Sequence, residues 1–282
     1  MNDLLVTVFT PTFNRAYRLT ALYNSLLSQS DKSFEWIIVD DCSTDNTEEL
    51  VNSWISENKI LITYVKQEYN GGKHRCINKG VKIAKGELFF IVDSDDFLTC
   101  DAIEQIENEW KACENKEIYA GLCFRRMTES KKSSGSENEY KILGDDFPKY
   151  RCSATSLDIA YNWKCKADKA EVFKTKILRR FPFPEIKNEN FCEEVIVWYK
   201  IAKQKDGLLL CINKGIYVCE YLEDGLSANL GNKMLSSPYS SFLYFWTLLG
   251  IKYEWQNGNA LNLLKNAVYF LIKGKLLKRG KR

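Results

Sequence analysis

The stretch ELFFIVDSDDFLTCD, residues 87–101, drives an unbroken apolar run at 88–92 straight into Asp93, Ser94, Asp95 and Asp96. A short strand that is apolar throughout is buried on both faces, as in a parallel sheet lying between layers of helices. The same pattern recurs upstream. Residues 4–10 are apolar and β-branched and end at Pro11-Thr12-Phe13-Asn14-Arg15, residues 36–39 end at Asp40-Asp41, and residues 60–65 form a third run. Helical spacings lie between them: Leu19, Leu22, Tyr23, Leu26 and Leu27 within 15–29, then Leu50, Val51, Trp54 and Ile55 behind capping residues at 44–48. Segments 73–84, behind Asn70-Gly71-Gly72, and 102–113 also read as helices. This alternation predicts an α/β fold, a mostly parallel, Rossmann-like sheet flanked by helices. Right-handed crossovers put every strand's C-terminal end on one edge, where open α/β sheets bind ligands. The polar clusters at 11–15, 40–41 and 93–96 should therefore meet in one crevice.

Downstream, strands are expected at 119–124, 208–212 and 216–221, the last two paired through Asn213-Lys214-Gly215. Helices are expected around 171–178 and 193–203, with a turn at Phe181-Pro182-Phe183-Pro184. The polar stretch 125–150 reads as a surface insertion or a mobile loop.

Composition narrows the function classes. Forty basic against thirty-seven acidic residues among 282 leave a net charge of +3, which favours no partner. From Lys233 onward, however, nine basic residues face Glu254 alone, so that segment carries +8 and the first 232 residues −5. Ten cysteines include no C-x-x-C pair and stand mostly among apolar residues, which argues for reduced thiols and against a zinc ribbon or a disulfide scaffold. No basic leader precedes the first apolar run, which Pro11 interrupts, and no run approaches the roughly 18 to 20 apolar residues of a membrane span. A cytoplasmic chain is expected. The first strand is followed by neither a G-x-G-x-x-G fingerprint nor another glycine-rich phosphate loop, which argues against a dehydrogenase and a nucleotidylyltransferase.

Asp93-Ser94-Asp95 can share a divalent cation, since Mg²⁺ and similar hard ions take one or two carboxylates together with substrate phosphates. The bland alternative is an acid-rich helix N-terminus, which the helix dipole favours. Asp40-Asp41 offers a carboxylate to a nucleobase N–H or a ribose hydroxyl, while Ser43 or Asp45 can cap the next helix. Asn70-Gly71-Gly72-Lys73 permits a tight turn at a helix start that, with its lysine, suits an anion. His74 is the only histidine and builds no metal set unless it lies in the crevice.

The ordered motifs PTFNR (11–15), IIVDDCSTDNT (37–47), NGGKHRCINKGVKIAKGE (70–87) and FFIVDSDDFL (89–98) resemble those of bacterial family-2 glycosyltransferases with the GT-A fold. The resemblance is close over 4–100 and reaches a weaker motif near 194. It implies transfer of a sugar from a nucleotide-diphosphate donor, most simply a UDP-sugar, to a hydroxyl acceptor with inversion at the anomeric carbon. Pro11, Thr12, Phe13, Asn14 and Arg15 would line the nucleoside pocket, with Phe13 against the base. Asp41 would accept the base N–H, beside Ser43, and Lys73 and Asn78 would lie near the base or diphosphate. Asp93 would sit by the ribose, with Ser94 among the substrate-binding residues, and Asp95, with Asp93, would hold Mn²⁺ or Mg²⁺ on the phosphates. Asp96 would serve either the acceptor side or a helix cap. In ENFCEEVIVWYKIAK (189–203), Glu194 matches the family's general base with Glu193 beside it, and Asp168-Lys169 matches an acceptor-side pattern. The implied organisation is one GT-A domain over 1–230, with nucleotide-binding (1–100) and acceptor (101–230) halves, and a helical extension over 231–282.

That extension is amphipathic, aromatic and basic, a composition that suits either contact with an anionic membrane surface at the inner face of the cytoplasmic membrane or a pair of core helices with a basic end. No nucleic-acid recognition pattern accompanies the charge. Synthesis of a surface polysaccharide or glycolipid on a saccharide or lipid-linked acceptor is the expected role. The rival from another class is a catalytically silent nucleotide-binding subunit of a polysaccharide assembly.

Overall fold

The computed structural model describes residues 4–130, 139–165, 167–220 and 229–279. Strands β1 (Val6–Thr12), β2 (Phe34–Asp40), β3 (Leu61–Lys66) and β4 (Leu88–Ile91) stand where the apolar runs predict them, joined by helices α1 (Ala16–Leu27), α2 (Thr47–Glu57) and α3 (Lys73–Ile83). They pair in parallel in the order β3-β2-β1-β4. The winding reverses between β1 and β4, so their C-terminal ends flank a topological switch point, the place where such sheets hold ligands.

After β5 (Phe97–Leu98) and α4 (Ala102–Lys111) come β6 (Tyr119–Ser130), β7 (Glu139–Ile142), β8 (Arg151–Ala154), β9 (Lys169–Lys174), α5 (Thr175–Arg180), α6 (Val195–Ala202) and β10 (Leu208–Cys219). The sheet continues β4-β9-β6-β10-β5, with β9 antiparallel to both neighbours and β6 parallel to β10. The parallel arrangement thus belongs to the first half, and the second half is mixed. Residues of alternate parity on each strand feed two cores. Val6, Val8, Trp36 and Ile38 pack with α1, α2 and α4, while Phe9, Ile37 and Val39 pack with α3, α5 and α6.

Several local expectations are corrected. The acids at 93–96 cap no helix, because β5 intervenes and α4 begins only at Ala102. Residues 125–130 are not loop but the end of β6, and 139–142 form β7 against it; 131–138 lie outside the described residues. The segment 171–178 is divided between β9 and α5, its polar positions having mimicked helical spacing. The two strands expected at 208–212 and 216–221 are one strand, β10, whose register against β6 shifts at Gly215; Tyr221 lies outside the described residues.

The extension forms α7 (Leu230–Ser236), α8 (Pro238–Leu249), α9 (Lys252–Gln256) and α10 (Ala260–Arg279). The buried Glu189 carboxylate accepts the backbone N–H groups of Tyr239 and Ser240, each at 2.8 Å, and so satisfies orphan donors at the positive end of α8. Tyr161 donates to the buried Glu254 (2.6 Å), and Leu248, Ile251 and Leu263 form a satellite core against Leu157, Tyr161 and Tyr199. No described helix is long and apolar enough to cross a membrane. All ten cysteines are free.

Candidate active site

A cleft of about 1120 Å³ opens over the switch point, lined from the β1 end by residues 11–15, from β2 by Asp41, from α3 by Gly72 and Lys73, and from β4 by residues 93–96. The three polar clusters do converge.

The local geometry follows from hydrogen-bond capacity. Asn14 adopts a left-handed conformation (φ 52°), which its short polar side chain tolerates. Its Oδ1 accepts from Thr44 N–H and its own N–H donates to Ser43 Oγ, both at 2.8 Å. Ser43 is therefore consumed in tying the β1 loop to the β2 loop and does not line the cleft, while Asp45, one residue before the α2 N-cap Asn46, accepts from the Thr47 N–H that opens the helix. Of the adjacent acids, Asp40 turns inward to Ser43 N–H (2.7 Å) and Tyr64 O–H (2.6 Å), leaving Asp41 to face the cleft. Asp41 accepts the amides of Gly71 and Gly72, each at 2.7 Å, which locks its plane. Burial raises its pKa above the ordinary carboxylate value, and the two amides counter only part of that.

Gly72 makes this turn feasible. Its φ is +92°, and a Cβ there would lie 1.8 Å from the Asn190 carbonyl oxygen. The start of α3 thereby abuts the segment leading to Glu193-Glu194. At the next residue, Lys73 Nζ lies 2.6 Å from Asp93 Oδ1 and 2.8 Å from Glu194 Oε1. Burial alone would lower the lysine's pKa, but the two carboxylates hold it above its ordinary value. Burial likewise pushes Asp93 up, and Lys73 and Arg126 more than reverse it, leaving Asp93 below the usual range.

Asp95 behaves differently. Burial and the neighbouring Asp93 both raise it, with Arg15 and Lys73 compensating only in part. Asp96 is raised to about 7, by burial first and then by Asp93. Its oxygens accept from Tyr217 O–H (2.6 Å) and Glu220 N–H (2.9 Å), so it fastens β10 to the acidic motif. The metal-ligand reading therefore narrows to Asp95 and Asp93. No group of three or more ligating side chains occurs among the described residues. A Mg²⁺- or Mn²⁺-type ion that completes its shell with phosphate oxygens and water needs only one or two carboxylates, and a dication would relieve the repulsion that raises Asp95. These residues fit such an ion.

The remaining predicted residues divide. Asp168 and Ser94 line the cleft, and Glu194 reaches it through Lys73. Glu193 is raised by burial, then by the charges of Glu194 and Asp168. Asn78 lies outside, exchanging hydrogen bonds with the Phe183 backbone (2.9 Å) and Glu185 (2.7 Å). Lys169 is buried with its amine on the carbonyls of Cys165 and Ala167. His74 is buried on α3 away from the cleft, and neither ring nitrogen has a hydrogen-bond partner among the described residues.

Among the cleft residues that escaped the sequence reading, two contributors matter most to its charge and its walls. Arg126 lines the cleft with its guanidinium 4.2 Å from the Tyr217 ring centroid and its Nε donating to the Lys169 carbonyl (2.8 Å). Beside it, Glu171 is raised to about 7 by burial, an effect that Arg126 opposes. The paired arginines at 125–126, after an apolar run, were the available signal. The second contributor is α7, which brings Asn232, Lys233 and Ser236 to the cleft, so the extension helps to build the site. Burial and the nearby Arg15 lower the Lys233 pKa.

The family model described as Glycosyl transferase family 2 matches residues 7–181. Glycosyltransferase GlyG of Streptococcus pneumoniae serotype 4 is 35% identical over 103 residues, 36% of this chain and 34% of that protein. A GalNAc(5)-diNAcBac-PP-undecaprenol beta-1,3-glucosyltransferase of Campylobacter jejuni is 28% identical over 204 residues, 71% of this chain and 60% of that one. The chain thus spans less than two thirds of these curated relatives. Among solved structures, Staphylococcus aureus TarS 1–349 in complex with UDP-GlcNAc superimposes with a TM-score of 0.65 at 22% identity, covering 95% of this chain and 72% of that one. The mannosyltransferase PcManGT of Pyrobaculum calidifontis, with GDP-Man and Mn²⁺, gives 0.55 at 18% identity, covering 98% and 79%. At these identities the structural likeness speaks for the GT-A fold alone.

Proposed function

The chain belongs to family 2 of the glycosyltransferases, and on that premise we propose that it moves a sugar from a nucleotide-diphosphate donor to an acceptor hydroxyl in one inverting displacement. The observation that carries this reading is the single chain of contacts from Asp93 through Lys73 to Glu194, in a cleft that also holds Asp41 and Asp95. It joins a leaving-group site to a carboxylate base.

Residues 11–15 and the locked Asp41 receive the nucleoside, Asp41 accepting a base N–H. Asp93 approaches the ribose. A divalent cation held by Asp95 with Asp93 would supply charge neutralisation for the departing diphosphate. Glu194 accepts the proton from the acceptor hydroxyl as its oxygen bonds the anomeric carbon and the bond from that carbon to the phosphate oxygen breaks. Lys73 fixes the spacing between the two halves of that displacement. Asp168 and Glu193 face the acceptor. UDP is the favoured nucleotide, since the TarS structure carries UDP-GlcNAc, although the PcManGT structure carries GDP-Man. The acceptor is a saccharide, free or carried on a lipid at the inner face of a bacterial membrane; the C. jejuni relative is named for an undecaprenol-linked one.

Thermal unfolding with UDP, GDP and dTDP, each with and without Mn²⁺, on the wild type and Asp95→Ala tests the donor site. Ligand at about 100 times its dissociation constant adds roughly 2.7 kcal/mol, a shift of about 5 to 11 °C for a domain of this size. A shift with UDP that needs both Mn²⁺ and Asp95 is expected. No metal-dependent shift with any nucleotide would overturn the reading; a shift without hydrolysis or transfer of any UDP-sugar would favour the silent subunit.

A further inference from the structure

We propose that the outward face of α10 seats the protein on an anionic lipid bilayer. One side of this helix is explained by packing: Leu263, Ala267 and Phe270 are buried toward α8, Phe270 stacks on Phe245 at 5.6 Å between centroids, and the Tyr239 ring covers Gly274. The opposite side should be polar in a helix that meets only water. Instead Leu261, Leu264, Val268, Ile272 and Leu276 recur at spacings of three and four residues, and all are exposed, Ile272 by 53% and Leu276 by 61%. They make one apolar stripe along the helix.

Charge identifies the occupant. The segment 260–279 holds five basic residues and no acid. Lys265 and Lys275 are exposed among the stripe residues, within a turn of them. A second copy docking through the same stripe about a two-fold axis would press two such helices together with no acid on α10 to pair the lysines. Nucleic acid would satisfy the lysines and leave the stripe facing phosphates. A bilayer with anionic headgroups answers both features: the stripe enters the headgroup–acyl boundary while the lysines meet the lipid phosphates. Exposed Trp246 on α8 and Trp255 on α9 are the residue type that settles at such a boundary.

The proposal deepens the reading of a lipid-linked acceptor, but its test uses neither donor nor acceptor. The full chain is floated with vesicles of phosphatidylcholine alone or of phosphatidylcholine with phosphatidylglycerol, alongside Ile272→Glu/Leu276→Glu and Lys265→Glu/Lys275→Glu. Expected is partitioning onto phosphatidylglycerol vesicles that falls with added salt and weakens at least ten-fold in each double variant. Thermal unfolding of the variants should match the wild type, because every altered side chain lies outside the core. Equal partitioning onto both vesicle types, no partitioning, or variants that bind as well as wild type would overturn the proposal. So would a dimer at sedimentation equilibrium that Ile272→Glu/Leu276→Glu dissolves while vesicles capture nothing. A UDP shift that survives in the variants separates failure of this surface from failure of the donor site.

Discussion

Gly72, Lys73 and His74 are consecutive and do three unrelated things. At Gly72 both the positive φ and the approach of Asn190 exclude a side chain, so Gly72→Ala should cost about 2 kcal/mol or more in denaturant unfolding and abolish the UDP-induced shift. Lys73→Met removes the ammonium between Asp93 and Glu194. It should lower kcat more than ten-fold, and measured nucleotide affinity should change less than turnover does. His74 is buried, its ring nitrogens have no hydrogen-bond partner among the described residues, and burial drops its pKa from 6.5 to about 4. Its folded-state pKa is thus below the unfolded one, so the unfolded chain binds the proton first as pH falls. The contribution to stability is complete above pH 6.5 and is lost between 6.5 and about 4, on the order of 3 kcal/mol in all. His74→Leu should flatten the melting temperature against pH over that window relative to wild type, without loss at pH 7.

At the scale of an element, β6 shows how one strand serves core and site with adjacent residues of one type. Arg125 is fully buried, its guanidinium donating to Asp146, Asn213 and the carbonyls of Leu143 and Gly144. Arg126, on the other face, enters the cleft. The pair should therefore separate by assay. Arg125→Met should destabilise the fold by about 2 kcal/mol in urea, since it removes the buried guanidinium whose hydrogen bonds tie β6 to residues 143–146 and to Asn213. Arg126→Met should instead reduce turnover at least ten-fold at saturating donor. Equal stability losses in the two variants would contradict this division. The first half of β6, 119–124, was legible as a strand, but 125–130 was not, because two arginines and a polar run hide the period of two and only pairing with β7 and β10 reveals it.

Across the whole molecule, the extension is part of the working unit. Glu189, four residues before Glu193, caps α8, Phe191 N–H donates to Ser237 Oγ (3.2 Å), and α7 lines the cleft. The segment that carries Glu193 and Glu194 is thereby held between α3 and the extension. A chain ending at residue 229 should lose the nucleotide-dependent thermal shift even with every acid of the cleft intact. A truncated chain that keeps the full shift would return the extension to the status of an appendage, as the boundary drawn at residue 230 from the sequence implied.

The apolar runs and their polar ends by themselves determined the fold of the first half of this protein. A strand buried on both faces must be apolar throughout, and what a parallel sheet presents at its C-terminal edge can be read from the residues that follow each run. That logic brought residues 11–15, Asp40-Asp41 and residues 93–96 to one edge, and the resemblance to family-2 glycosyltransferases singled out Asp41, Lys73, Asp93 and Asp95. The same logic could not say that Asp40, Ser43, Asn78 and Lys169 spend their polar groups on the scaffold, because hydrogen-bond partners 2 to 107 residues away are set only once the chain has folded. Nor could it find Arg126 or Lys233. Both arrive from elements whose local pattern is weak and whose position depends on pairing and packing with distant strands and helices.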